Sequence, residues 1–106
     1  MTWSVYYTND AQEDLQGIYD YISDVLLAPK AAEKQTDRIM DAVDSLEHIP
    51  MRHRLYDHEP WHSRGLRVLP VDNYVLFYLP DEVDGTVTII RIMYGGRDFE
   101  RHLPVI

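Results

Sequence analysis

The side chains best suited to chemistry in this sequence are arginines. Seven of the eight lie after residue 50, among them Arg52, Arg54, Arg64, Arg67, Arg91 and Arg97. A guanidinium is always charged and presents a planar fork of donors that matches phosphate oxygens. Cleavage of RNA by its own 2′-hydroxyl needs such charge on the scissile phosphate, with groups near the 2′ and 5′ oxygens to move protons. Tyr94, His58, Glu59 and His102 are available for that work. The same arginines can also solvate a sheet and pair with Asp72, Asp98 and Glu100, which requires no function at all.

Other chemistries are poorly served. There is no glycine-rich phosphate loop, no HExxH and no GxSxG. Without cysteine the chain forms neither disulfides nor thiolate metal sites. A metal would fall to His58, Glu59 and His62, whose spacing matches no defined zinc pattern, so no metal or cofactor is expected. Of eight tyrosines, Tyr19, Tyr74 and Tyr78 fall where core packing accounts for them. Tyr94 precedes Gly95-Gly96 and stands three residues before Arg97, which marks it as a functional candidate.

The net charge of −8 argues against a simple nucleic-acid binder. The charge is unevenly divided. Residues 1–50 carry ten acids against Lys30, Lys34 and Arg38, a balance of −7, whereas residues 51–106 carry eight acids against seven arginines. That division allows an acidic face and an arginine-rich face. No signal peptide opens the sequence and no apolar run is long enough to span a bilayer, so a soluble, cytoplasmic single domain over residues 1–106 is expected.

The elements that must carry these side chains can be read from periodicity. Residues 3–7 are aromatic and β-branched and predict a strand. Thr8-Asn9-Asp10 offers N-caps, with Asn9 and Gln12 at capping-box spacing. Ala11, Leu15, Ile18, Tyr19, Ile22 and Leu26 form one apolar stripe on a helix reaching about Leu27, within which Gly17 weakens the helix or admits another backbone. Pro29 suits the first turn of a second helix, whose stripe is Ala32, Thr36, Ile39, Val43 and Leu46. Pro50 ends it and biases residue 49 toward extended geometry.

Residues 51–63 show no period and predict a loop. Strands follow at about 66–71, 74–79 and 86–93, joined at Asp72-Asn73 and at the Asp84-Gly85 turn, and a short helical turn is expected within 97–103. The fold class is therefore α+β, in the order β-α-α-β-β-β, an antiparallel sheet packed on an N-terminal helical hairpin. The second sheet face should stay open to solvent or a partner. If Ile90, Ile92 and Tyr94 face the helices, Arg91 lies on that open face, with Arg67 alternating against Leu66 and Val68.

Two segments together resemble the RelE/ParE superfamily of toxins from bacterial type II toxin–antitoxin systems. They are Gly65 to Tyr78, with Asn73-Tyr74-Val75-Leu76-Phe77-Tyr78, and Thr86 to Asp98, closing on Gly95-Gly96-Arg97-Asp98. The N-terminal Thr8, Ala11, Asp14-Leu15, Ile18 and Tyr21-Ile22 pattern fits as well. The resemblance implies a toxin restrained by a cognate antitoxin protein. RelE-like members cut mRNA in the ribosomal A site without a metal; ParE-like members inhibit DNA gyrase and have no known hydrolytic site. RelE-like chains carry an arginine where this one has Val75, whereas Arg97 matches the family's C-terminal Gly-x-Arg motif. The expectation is a metal-independent endoribonuclease that acts with ribosome and mRNA and inhibits translation. Its site would be Arg67, Arg91 and Arg97 on phosphate, Tyr94 in proton transfer, and Glu59 or His58 assisting. The alternatives are a non-enzymatic gyrase inhibitor and an inactive binding module of the same fold.

Overall fold

The computed structural model describes residues 2–104. Strand β1 (Ser4–Tyr7) leads into helix α1 (Asn9–Asp20). Thr8 rather than Asn9 caps the helix: its Oγ1 accepts from the Ala11 N–H at 3.1 Å and its hydroxyl reaches the carbonyls of Ile89 and Ile90 at 2.9 and 3.0 Å. One threonine thus starts the helix and pins it to the last strand.

Beyond Asp20 the chain widens into a π turn over Tyr21–Val25, in which the Leu26 N–H reaches back five residues to the Tyr21 carbonyl at 3.1 Å. The extra residue in that turn rotates the apolar stripe out of phase. Ile22 stays buried, but Leu26, expected on the stripe, is 55% exposed. Helix α2 (Pro29–Ser45) begins at Pro29, and its stripe from Ala32 to Leu46 is buried as the spacing predicts. Ile49 departs from expectation. It takes a left-handed conformation (φ +49°) that turns the chain so that Pro50 reaches a buried seat.

Strands β2 (Arg67–Val71), β3 (Tyr74–Asp81) and β4 (Thr86–Tyr94) form an antiparallel meander. At the first turn Asp72 (φ +56°) holds Arg38 through two hydrogen bonds of 2.7 and 2.9 Å, tying the hairpin to α2. At the second, Asp81 Oδ1 accepts from the N–H groups of Val83 and Asp84, and Gly85 adopts φ +68°. The sheet order is β1-β4-β3-β2. The helical hairpin returns the chain to the end where it began, so β1 joins β4 in parallel and the sheet as a whole is mixed.

Ile90 is an extra residue in β4, since Arg91 pairs with Phe77 while Ile89 pairs with Tyr78. The bulge resets the alternation. Val87, Ile89 and Ile92 pack in the helix-side core, while Ile90 and Met93 point to the other face. That second face is not open. It carries its own core, in which Leu66, Val68 and Phe77 are covered by Tyr56 and Trp61 from the non-periodic 51–64 segment, with its short helix α3 (Trp61–Arg64), and by Leu103 from the tail with helix α4 (Phe99–His102). The apolar residues of these stretches are too irregularly spaced to announce themselves as a covering layer.

Tyr78 is fully buried in the helix-side core, and its hydroxyl donates to the Pro50 carbonyl at 2.6 Å. Burial pushes its phenol up to about 12, from an ordinary 10.0. The unfolded chain therefore loses this proton first. The contribution is present below pH 10 and is lost as pH rises toward 12, at up to about 1.4 kcal/mol per pH unit. Tyr78→Phe should cost about 1–3 kcal/mol near pH 9 through the unpaired Pro50 carbonyl. Urea titrations at rising pH should then show the gap to the parent narrowing. Two curves that stay parallel from pH 9 to 11 would contradict this account.

Candidate functional site

The arginine expected at the centre of a phosphate site is engaged elsewhere. β1 ends opposite Ile89, so beyond that point the edge of β4 is met by α1. There Asp14 accepts from Arg91 Nε at 2.6 Å, from Arg91 Nη2 at 2.8 Å and from the Ile92 N–H at 2.9 Å. The two side chains are only 16% and 13% exposed. The remaining arm of Arg91 reaches the His102 carbonyl at 2.5 Å, so one guanidinium joins α1, β4 and the tail. Its hydrogen bonds to the Asp14 carboxylate hold it protonated even against burial.

Arg67 is likewise occupied. It pairs in register with Tyr78 on the helix-side face, and its Nη1 donates to the carbonyls of Met51 and His53 at 3.0 and 2.6 Å. It clamps the segment after Pro50 instead of facing solvent from an open sheet. Glu59 is held by the short helix α3, accepting from the Ser63 N–H at 2.7 Å and from the Ser63 hydroxyl; these bonds hold its carboxyl below the usual range. It lines a separate cleft with Trp61 and Leu103. His58 lies 3.2 Å from Glu100, and His62 Nδ1 donates to the Tyr56 carbonyl at 2.7 Å. Arg52 is held by the turn that follows α2, donating to the His48 and Ile49 carbonyls. Among the described residues, no three His, Cys, Asp or Glu side chains are grouped to hold a metal ion.

Two of the candidates do come together. Tyr94 and Arg97 line one cleft of about 540 Å³ between α1 and the end of β4. Arg97 is exposed, and its backbone N–H donates to the Tyr94 carbonyl at 3.1 Å. Tyr94 is 56% exposed, and its ring meets Tyr74 edge-on with centroids 6.0 Å apart. The glycines set this geometry. The Gly95 N–H donates to the Asn73 carbonyl at 2.8 Å, and a Cβ on Gly96 would stand 2.9 Å from the Tyr94 ring.

The α1 wall of the cleft, with Glu13, Asp14, Gly17 and Tyr21, was not legible as part of a site. Its only signal is a spacing of four residues from 13 to 17 to 21 on the face away from the apolar stripe. Gly17 is not a point of close backbone approach, because a Cβ there would meet nothing within 4 Å. Tyr74, assigned to core packing from sequence, is half-buried and also lines the cleft. Arg91 sits behind this wall, reaching the cleft only through its partner Asp14.

Residues 5–99 match the family model described as the ParE toxin of the parDE type II toxin–antitoxin system. Among solved structures, the chain is similar to one from the chromosomal ParDE toxin–antitoxin system of P. aeruginosa. The two are 25% identical with a TM-score of 0.71, over 88% of this chain and 96% of that one. The fold is shared by a chain of the RelBE2 toxin–antitoxin complex of Mycobacterium tuberculosis, at 20% identity and TM-score 0.63, over 89% of this chain and 92% of that one. It is shared also by a chain of the archaeal RelE–RelB complex of Pyrococcus horikoshii, at 20% identity and TM-score 0.62, over 92% and 99%. No curated protein matches the sequence significantly.

Proposed function

The chain belongs to the ParE toxin family of type II toxin–antitoxin systems, and from that premise we propose that it arrests growth by binding DNA gyrase, without catalysis. One observation carries the reading: the charged groups that RNA cleavage would require are spent on the fold. Arg91 is locked to Asp14, Arg67 to two backbone carbonyls, and Glu59 to Ser63 in a different cleft. A proton-transfer site needs its base and its phosphate-binding charge within hydrogen-bond reach of one reacting centre. Of the expected site residues, Tyr94 and Arg97 share one accessible cleft.

An aromatic ring beside an exposed guanidinium is typical of residues that dominate protein–protein binding. Tyr94 and Arg97 are the centre of the target-binding surface, and an antitoxin restrains the toxin until it is removed. The same pair is also the best case for the nuclease reading, since they are the proton donor and the cation that such a reaction would use. Pulse-labelling of DNA and protein synthesis in the minutes after induction of this chain alone separates the two. DNA synthesis should fall first, with translation following late. If translation fell first and ribosome-bound mRNA were cut, the gyrase reading would be lost and the catalytic roles of Tyr94 and Arg97 restored.

A further inference from the structure

We propose that the cleft between α1 and β4 seats a cationic side chain, an arginine or lysine, presented by a basic amphipathic segment of the antitoxin. This rests on membership of a toxin–antitoxin family and does not depend on gyrase being the target.

Three tyrosines surround the cleft. Tyr74 and Tyr94 meet edge to face at 6.0 Å, and Tyr21 stands on the opposite wall, 53% exposed. Aromatic faces carry negative potential, and a cation set among several of them is attracted without needing a direct ion pair. A carboxylate stands beside them. Glu13 lines the same cleft and has no ion-pair partner among the described residues, in contrast to Asp14, which Arg91 neutralises. Gly17 lines the same cleft without a side chain, and a Cβ there would meet nothing within 4 Å.

The surroundings carry the same sign. Asp10, Glu13 and Asp20 are exposed along one side of α1 at intervals of three and seven residues, with Gly17 between the last two. That stripe spans about 15 Å, some three turns of a partner helix. Arg97 bounds the cleft on the β4 side, so the anchor's charge lies toward Glu13. An acidic segment would meet this stripe with like charge, on a chain of net charge −8.

The test uses an 18-residue amphipathic helical peptide of leucine, alanine and arginine, with a second peptide carrying glutamate in place of arginine. Fluorescence anisotropy measures binding to the purified chain, and amide chemical shifts locate it. The arginine peptide should bind at Tyr21, Tyr74 and Tyr94, and the glutamate peptide should not. Tyr94→Leu and Tyr74→Leu, which keep apolar area but remove the ring face, should each weaken binding by about 3- to 30-fold. Glu13→Gln should weaken it about threefold, and Arg97→Ala should tighten it by a similar factor. Tyr94 and Glu13 are exposed, so their variants fold even if Tyr74→Leu does not. Equal binding of the glutamate peptide, unchanged affinity in Tyr94→Leu and Glu13→Gln, or shifts confined to other acidic surfaces would each overturn the proposal. So would purified gyrase, and not the peptide, perturbing these residues.

Discussion

Asp14→Ala should destabilise the fold by about 3 kcal/mol, because it strands a guanidinium in a largely dry position. The change removes two charge-assisted bonds of 2.6 and 2.8 Å to Arg91 and leaves the Ile92 N–H without its acceptor. With Arg91 only 16% exposed, water replaces little of what is lost. Domains of this size are stable by about 5–15 kcal/mol, so the loss is a large share of the total. Replacing both partners, as in Asp14→Leu with Arg91→Leu, removes the buried charge together with its counter-charge and should recover much of the stability. Urea unfolding of Asp14→Ala, of Asp14→Leu and Arg91→Leu singly, and of the double variant measures both effects, and the coupling within the leucine cycle isolates the interaction of the pair. A single variant within about 0.5 kcal/mol of the parent would mean that Arg91 is free for another role.

The pair also shows why the sequence points at the wrong arginine. Read by alternation, Arg91 belongs on the face opposite Ile92, and it does pair there with Phe77, but nothing in the string Thr86 to Tyr94 announces that this face is covered. Its counter-charge lies 77 residues away on α1, at a helical position that reads as solvated surface. Periodic elements were legible for the opposite reason: the stripes of α1 and α2 and the alternation of β2 and β3 are local patterns. The second core was hidden because Tyr56, Trp61, Phe99 and Leu103 reach their places through loops, where no period exists. The cleft was half legible. Gly95-Gly96 beside Tyr94 signals a special backbone, and Arg97 follows in the same turn. Its α1 wall, from Glu13 to Tyr21, enters only when the fold brings the first helix against the last strand.

Arg97→Ala should abolish growth arrest and leave the fold intact. The side chain is exposed and belongs to neither core, while the turn that holds it is built from backbone, with the Gly95 and Arg97 N–H groups bonded to Asn73 and Tyr94. Surface substitutions of this kind usually stay within about 0.5 kcal/mol in stability. An arginine at the centre of a binding surface, by contrast, carries about 2 kcal/mol or more, roughly thirtyfold in affinity. The half-inhibitory concentration in a gyrase supercoiling assay should rise by about that factor, with the melting temperature unchanged. Arg67→Ala and Arg91→Ala supply the contrast. Both remove arginines that hold segments of the chain together, so any loss of toxicity there should come with a lower unfolding free energy. If Arg97→Ala remained fully toxic while folded, the cleft would not be where the toxin meets its target. If instead all three variants lost toxicity with undiminished stability, the arginines would be acting together on one phosphate, and the non-catalytic reading would give way to the nuclease.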